Sequence, residues 1–194
     1  IPLLKTFNSI NKNFKDLIKL QIEEPQQEIE LSKKIKKIGS INDDVSKKVK
    51  LQYEENPYPR WRYINHSINQ KISITQAINN EIKPNSISHN IINRKAKILI
   101  AGCGTGSQII EAQRYKNAQI TGIDLSLSSL SYAQRKINEL GIDNVELIEM
   151  DILEVSLLEK QFDVIECSGV LVCMKDPNLG LEKLLGVLKQ TGFL

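Results

Sequence analysis

The chain has 194 residues, 41% of them hydrophobic, and a formal net charge of +3, enough to bury one sizeable core. It has neither an apolar run of about 18 residues nor a signal peptide, which argues against a helical membrane span and implies a soluble, cytoplasmic protein. Cys103, Cys167 and Cys173 are odd in number and lie in one half of the chain, which points to a reducing compartment rather than a disulfide framework. His66 and His89 are distant from each other and from the cysteines, so no metal-ligand cluster is read and both are taken as surface or packing residues.

In chain order, residues 1–38 read as two short helices broken near Pro25, and Asn42 or Asp43 can cap a helix running to about Glu55,. The charge is uneven, +7 over residues 1–95 and −4 over residues 96–194. A basic front half suits a phosphate-bearing partner such as RNA. However, Lys33, Lys34, Lys36, Lys37, Lys47, Lys48 and Lys50 alternate with Ile35, Ile38, Val45 and Val49, which favours solvated faces of amphipathic helices. The lysine runs also lack the interleaved aromatics on which single strands stack. Asn56-Pro57-Tyr58-Pro59-Arg60-Trp61 then imposes a rigid, extended turn, because each proline removes a donor and restricts its predecessor. Residues 62–95 suggest a further helix around Ile72 to Ile82 and a variable connection.

The stretch Lys97 to Ser107 is the most informative: an apolar run, Ile98-Leu99-Ile100-Ala101, ends in Gly102-Cys103-Gly104-Thr105-Gly106. Such a run reads as a buried parallel strand, and the glycines after it let backbone approach a ligand. Ala118 to Ile123 forms a second strand that delivers Asp124 to its carboxyl end, where a carboxylate can accept two hydrogen bonds from a ribose diol. Leu127 to Leu140 forms an amphipathic helix stopped by Gly141, and Val145 to Met150 a third strand that leads to Asp151,. Phe162 to Glu166 is the fourth strand, with Cys167, Ser168 and Gly169 after it, followed by a helix from Asn178 to Leu188.

These landmarks, in this order, resemble the class I S-adenosylmethionine-dependent methyltransferases. The glycine turn looks like their motif I, Phe162-Asp163-Val164-Ile165 like motif IV, and Leu184 to Leu194 like the leucine-rich helix leading into a Lys-Pro-Gly-Gly turn. Gln52 to Trp61, with the strand and turn at Ile98 to Gly106, is similar to one bacterial group whose methyltransferase domains are often fused behind tetratricopeptide repeats. No full repeat signature lies in the chain, so any such array would sit upstream. Three positions depart from the pattern: Ile100 replaces a common acid, Val172 and Cys173 replace paired histidines, and Gln190-Thr191 replaces Pro-Gly.

The resemblance implies an α/β, Rossmann-like sheet with a helical N-terminal extension (1–55), an aromatic and proline-rich turn and linker (56–95), and an S-adenosylmethionine-binding core (96–194). The class sheet has seven strands, so the core is expected to be C-terminally incomplete, stopping after strand four or at the start of strand five. The implied cofactor residues are Ala101, Gly102, Cys103, Gly104 and Gly106 in the turn, Asp124 and Leu125 at the ribose, Asp151 and Ile152 at the adenine, and Cys167 and Ser168 at the methionine end. Tyr58, Arg60 and Trp61 are either a lid over the cofactor or a plug that docks the N-terminal helices. The methyl acceptor is not readable. The alternatives are a non-catalytic S-adenosylmethionine-binding or scaffold module and an NAD-dependent oxidoreductase. The latter fits less well because Ser107 occupies the last glycine position of the dinucleotide fingerprint,.

Overall fold

The computed structural model describes residues 11–63, 71–87 and 95–194, so His66 and His89 lie outside the described residues. Strands β1 (Lys36–Lys37), β2 (Ala96–Ala101), β3 (Ala118–Asp124), β4 (Val145–Glu149), β5 (Phe162–Glu166) and β6 (Leu188–Phe193) form one sheet in the order β1-β4-β3-β2-β5-β6. Every neighbouring pair is parallel. From β2 the order runs outward to β3 and β4 on one side and to β5 and β6 on the other, with β1 added at the β4 edge, the doubly wound arrangement in which ligands sit beyond the carboxyl ends of the central strands.

Strand β2 shows why the sequence folds this way. Ile98 and Ile100 join a cluster on one face with Ile109, Leu130 and Ile137, whereas Leu99 and Ala101 join Ile148, Val155, Ile165 and Leu184 on the other. All four strand residues are fully buried. Burial on both faces therefore requires a continuous apolar run rather than an alternating one, and each large side chain contributes about 1.5–3 kcal/mol.

Helices α1 (Lys12–Ile18) and α2 (Glu24–Ser32) are joined by a π turn, Lys19–Glu23. The helical run thus passes through Pro25 instead of breaking there. The widened turn directly precedes a residue with no amide to donate, and proline is tolerated in the first turn of the helical segment that follows,. The amphipathic-helix reading of the lysine runs fails at Lys36 and Lys37, which pair with Ile148 and Glu149 at the β4 edge. The remaining helices are α3 (Asp44–Glu55), α4 (Ile74–Glu81), α5 (Ser107–Glu111), α6 (Leu127–Glu139) and α7 (Pro177–Gly186). Helix α7 ends before Leu188, and residues 188–193 form a strand alongside β5 rather than the end of a helix.

Asp163, in the segment that resembles motif IV, lies near the beginning of β5. It accepts from the Lys97 amide at 2.8 Å and pairs with Lys189 at 2.7 Å. This buried carboxylate thereby ties β5 to both neighbouring strands, at the end of the sheet opposite the glycine turn.

Candidate functional site

At the carboxyl ends of β2 and β3 the chain closes a cavity of about 190 Å³. Gly102 and Gly104 form part of its floor, Asp124, Leu125, Asp151 and Ile152 line it, and Tyr58, Ser168, Gly169 and Cys173 border it with exposed side chains or backbone. Gly104 has φ +49°, and a Cβ placed there would meet no protein atom closer than the Tyr58 carbonyl at 4.0 Å. The glycine turn therefore presents bare backbone to open space, the shape required of a ligand cradle.

Asp124 organises this floor. The Gly104 amide donates to its Oδ2 at 2.8 Å and the Ser126 amide to its Oδ1 at 2.9 Å. A carboxylate offers about four acceptor sites, so these two bonds do not exhaust it. Burial pushes the Asp124 carboxyl up, amides from Ser126, Gly104 and Leu125 pull it down, and the Glu54 charge adds to the rise. Asp151 caps the turn Ile152–Leu158 by accepting from the Leu153 amide through Oδ1 at 3.0 Å, and it lines the cavity beside Ile152.

Other residues singled out by sequence do not line the cavity. Ala101 is fully buried in the core, and Cys103 packs its sulfur against Gly122, where a Cβ would come within 3.1 Å of it. Burial, followed by the Asp124 charge, holds the Cys103 thiol well above its ordinary range. Gly106 serves packing: its missing Cβ would stand 2.8 Å from the Ala133 Cβ on α6. Cys167 packs against the second core cluster, and burial raises its thiol pKa.

The aromatic turn divides in the same way. Tyr58 lines the cavity and is 73% exposed. Trp61 donates from Nε1 to the Thr105 carbonyl at 3.1 Å, and Thr105 donates from its hydroxyl to the Pro59 carbonyl at 2.6 Å. Arg60 holds both oxygens of Glu28 at 3.0 and 3.1 Å. The guanidinium groups of Arg60 and Arg135 both pack against the Tyr132 ring, 4.7 and 4.8 Å from its centroid. Arg135, itself buried, pairs with Glu24, Glu28 and Glu139. Arg60 and Trp61 thus dock the turn and α2 onto α6, leaving Tyr58 as the member of the trio that faces the cavity.

The sequence reading missed the roof. Ser46, Val49 and Tyr53 line the cavity from one face of α3, at spacings of three and four residues. A second wall comes from Val170, Cys173 and Met174. An amphipathic pattern was visible in α3, but nothing local in it indicated which element its apolar face would meet.

Comparison with known proteins decides the family. A family model described as a methyltransferase domain matches residues 92–194, more than half of the chain. The chain belongs to this family, the class I S-adenosylmethionine-dependent methyltransferase domains. This methyltransferase domain is 35% identical over 112 residues to the malonyl-[acyl-carrier protein] O-methyltransferase of Priestia megaterium, covering 57% of this chain and 39% of that one. The fold is shared with magnesium protoporphyrin IX methyltransferase from Synechocystis, at 20% identity and a TM-score of 0.53, covering 78% of this chain and 75% of that one. It is shared also with the [4+2]-cyclase SpnF, at 22% identity and a TM-score of 0.53, covering 74% and 57% of the two chains. The domain spans 24% to 39% of the length of the first curated relatives it matches.

Proposed function

We propose that this domain binds S-adenosylmethionine and transfers its methyl group to an acceptor nucleophile. The observation that carries this reading is the Asp124 carboxylate at the end of β3, tied to the Gly104 amide within a cavity whose glycine floor is bare. Asp124 would hold the ribose diol, Asp151 the adenine amino group, and the Gly102 to Gly104 backbone would pass beside the methionine portion. Ser168 and Tyr58 border the mouth through which an acceptor would reach the methyl group. When bound, the cofactor supplies an already activated sulfonium methyl, so alignment and exclusion of water are the main tasks left to the protein. Tyr53, Val49 and Val170 provide the apolar part of that shielding.

The Gln52 to Trp61 segment supports placing the domain in the bacterial group often fused to tetratricopeptide repeats, and its free cysteines suit the reducing cytoplasm,. The test is transfer of label from methyl-tritiated S-adenosylmethionine into separated protein, RNA and small-molecule fractions, with Asp124→Ala as the control. Label exceeding the control in one fraction supports the reading and gives the acceptor class. Binding of S-adenosylhomocysteine with no label in any fraction would favour a non-catalytic module.

A further inference from the structure

The ribose carboxylate has a second carboxylate behind it. Glu54, in the last turn of α3, accepts through Oε2 from the Ser126 hydroxyl at 2.9 Å and from the Ser128 amide at 3.1 Å. Ser126 is fully buried and makes three directed contacts. Its hydroxyl donates to Glu54, the same oxygen accepts the Ser129 amide at 3.0 Å, and its own amide donates to Asp124 Oδ1 at 2.9 Å. A serine hydroxyl has a single proton, so the direction Glu54 gives it determines which lone pair faces Ser129. The chain of contacts therefore runs from Glu54 through Ser126 to Asp124 and on to Gly104 without a gap.

Placing one anion near another costs free energy, and the Glu54 charge does act against ionised Asp124. Two features offset that cost. Glu54 meets the N-terminus of α6, where the helix dipole and the orphan Ser128 amide favour negative charge, and both of its hydrogen bonds are charge-assisted. The neighbouring residue Tyr53 lines the cavity, as do Ser46 and Val49 on the same helix, so the contact that orients Asp124 also seats the roof.

Resting on the cofactor reading above, we propose that Glu54 is a positioning residue for the cofactor: through Ser126 it fixes the Asp124 carboxylate toward the ribose diol and seats α3 over the site. Helix α3 has independent anchors in the ion pair between Lys50 and Glu149 on β4 and, just upstream of it, in the Ser40 amide bonded to Glu154. Exchanges at Glu54 therefore leave the helix attached.

The experiment is isothermal titration of S-adenosylhomocysteine into the full chain and four variants, with stopped-flow dissociation rates and the unliganded Tm of each. Glu54→Ala should weaken binding about ten-fold, mainly through faster dissociation. Glu54→Gln keeps an oxygen of the same reach for both donors and should stay within about three-fold of wild type. Glu54→Asp keeps the charge but falls one methylene short and should weaken binding nearly as much as alanine. Glu55→Ala, at an exposed neighbour, should leave binding unchanged. Affinity in Glu54→Ala within two-fold of wild type would overturn the proposal, as would Gln and Ala variants weakened alike. If the alanine variant does not fold, the Gln and Asp pair carries the test, and equal affinities there would overturn it. Wild type that fails to bind S-adenosylhomocysteine would instead contradict the cofactor reading itself.

Discussion

The Gly104 amide and the Asp124 carboxylate meet at 2.8 Å, joining the turn after β2 to the end of β3. The ribose acceptor and the glycine cradle are thus one unit, and damage to either should disturb both. Asp124→Ala is expected to weaken S-adenosylhomocysteine binding by roughly 1.5–3 kcal/mol, the range for a hydrogen bond to a charged group, or about 10- to 150-fold in Kd. It also strands the Gly104 and Ser126 amides, so its unliganded Tm should fall. Titration calorimetry and thermal melts on the same preparation check both expectations.

The three glycines of the turn should separate by phenotype. Gly104→Ala adds left-handed strain of about 1–2 kcal/mol, but its Cβ enters open cavity space, so binding should suffer more than folding. At Gly102, φ is +74° and a Cβ would stand 2.3 Å from Val170 Cγ2. Gly102→Ala should therefore lower Tm further and displace the Val170 wall, with partial recovery when Val170→Ala is added. Gly106→Ala meets the Ala133 Cβ at 2.8 Å, so it should destabilise the packing of α6 before it affects ligand. Circular-dichroism melts paired with ligand titration would distinguish the three.

Within the aromatic turn, Trp61→Phe should cost about 1 kcal/mol through the lost bond to Thr105,. Trp61→Ala should cost about 2 kcal/mol, below the roughly 3–5 kcal/mol of a fully buried ring, because this indole is only half-buried. Tyr58→Ala should leave stability nearly unchanged and weaken cofactor binding. Denaturant unfolding of the three variants, followed by ligand titration, checks the division between docking residues and cavity wall. A Tyr58→Ala loss of stability large enough to account for its binding loss would contradict it.

Acid stability should depend on Glu149. Burial would lift its carboxyl, but hydrogen bonds and charges from Lys37 and Lys50 outweigh burial and hold it below its ordinary value. The folded pKa then lies below the unfolded one, so the unfolded chain takes up this proton first as pH falls. The stabilisation is complete above the unfolded pKa, near 4.5, and is lost as pH drops toward the folded value. Glu149→Gln should be less stable than wild type at neutral pH, and the gap should narrow below about pH 4.5. Urea midpoints measured across that range give the comparison.

What the sequence could reveal was what lies close together along the chain. Ile98 to Gly106 carries strand, turn and cradle within nine residues, and Asp124 ends an apolar run, so both were readable from local pattern. The direction of Cys103 was not, because it is set by Gly122 across the β2 and β3 pairing. Lys36 and Lys37 become a strand only because the β4 edge is there to pair with them. Glu54 and Ser126 are 72 residues apart, and no pattern in α3 alone reveals the helix terminus it serves. The packing of Arg60 between Glu28 and Tyr132 is likewise a meeting of three distant segments.

The most direct measurement is calorimetric titration of the wild-type chain and of Asp124→Ala with S-adenosylhomocysteine and, separately, with NAD. One S-adenosylhomocysteine site per chain is expected, at least ten-fold weaker in Asp124→Ala, with no measurable heat from NAD. An Asp124→Ala variant that folds and binds S-adenosylhomocysteine as tightly as wild type, or a wild type that binds NAD in its place, would contradict the cofactor reading.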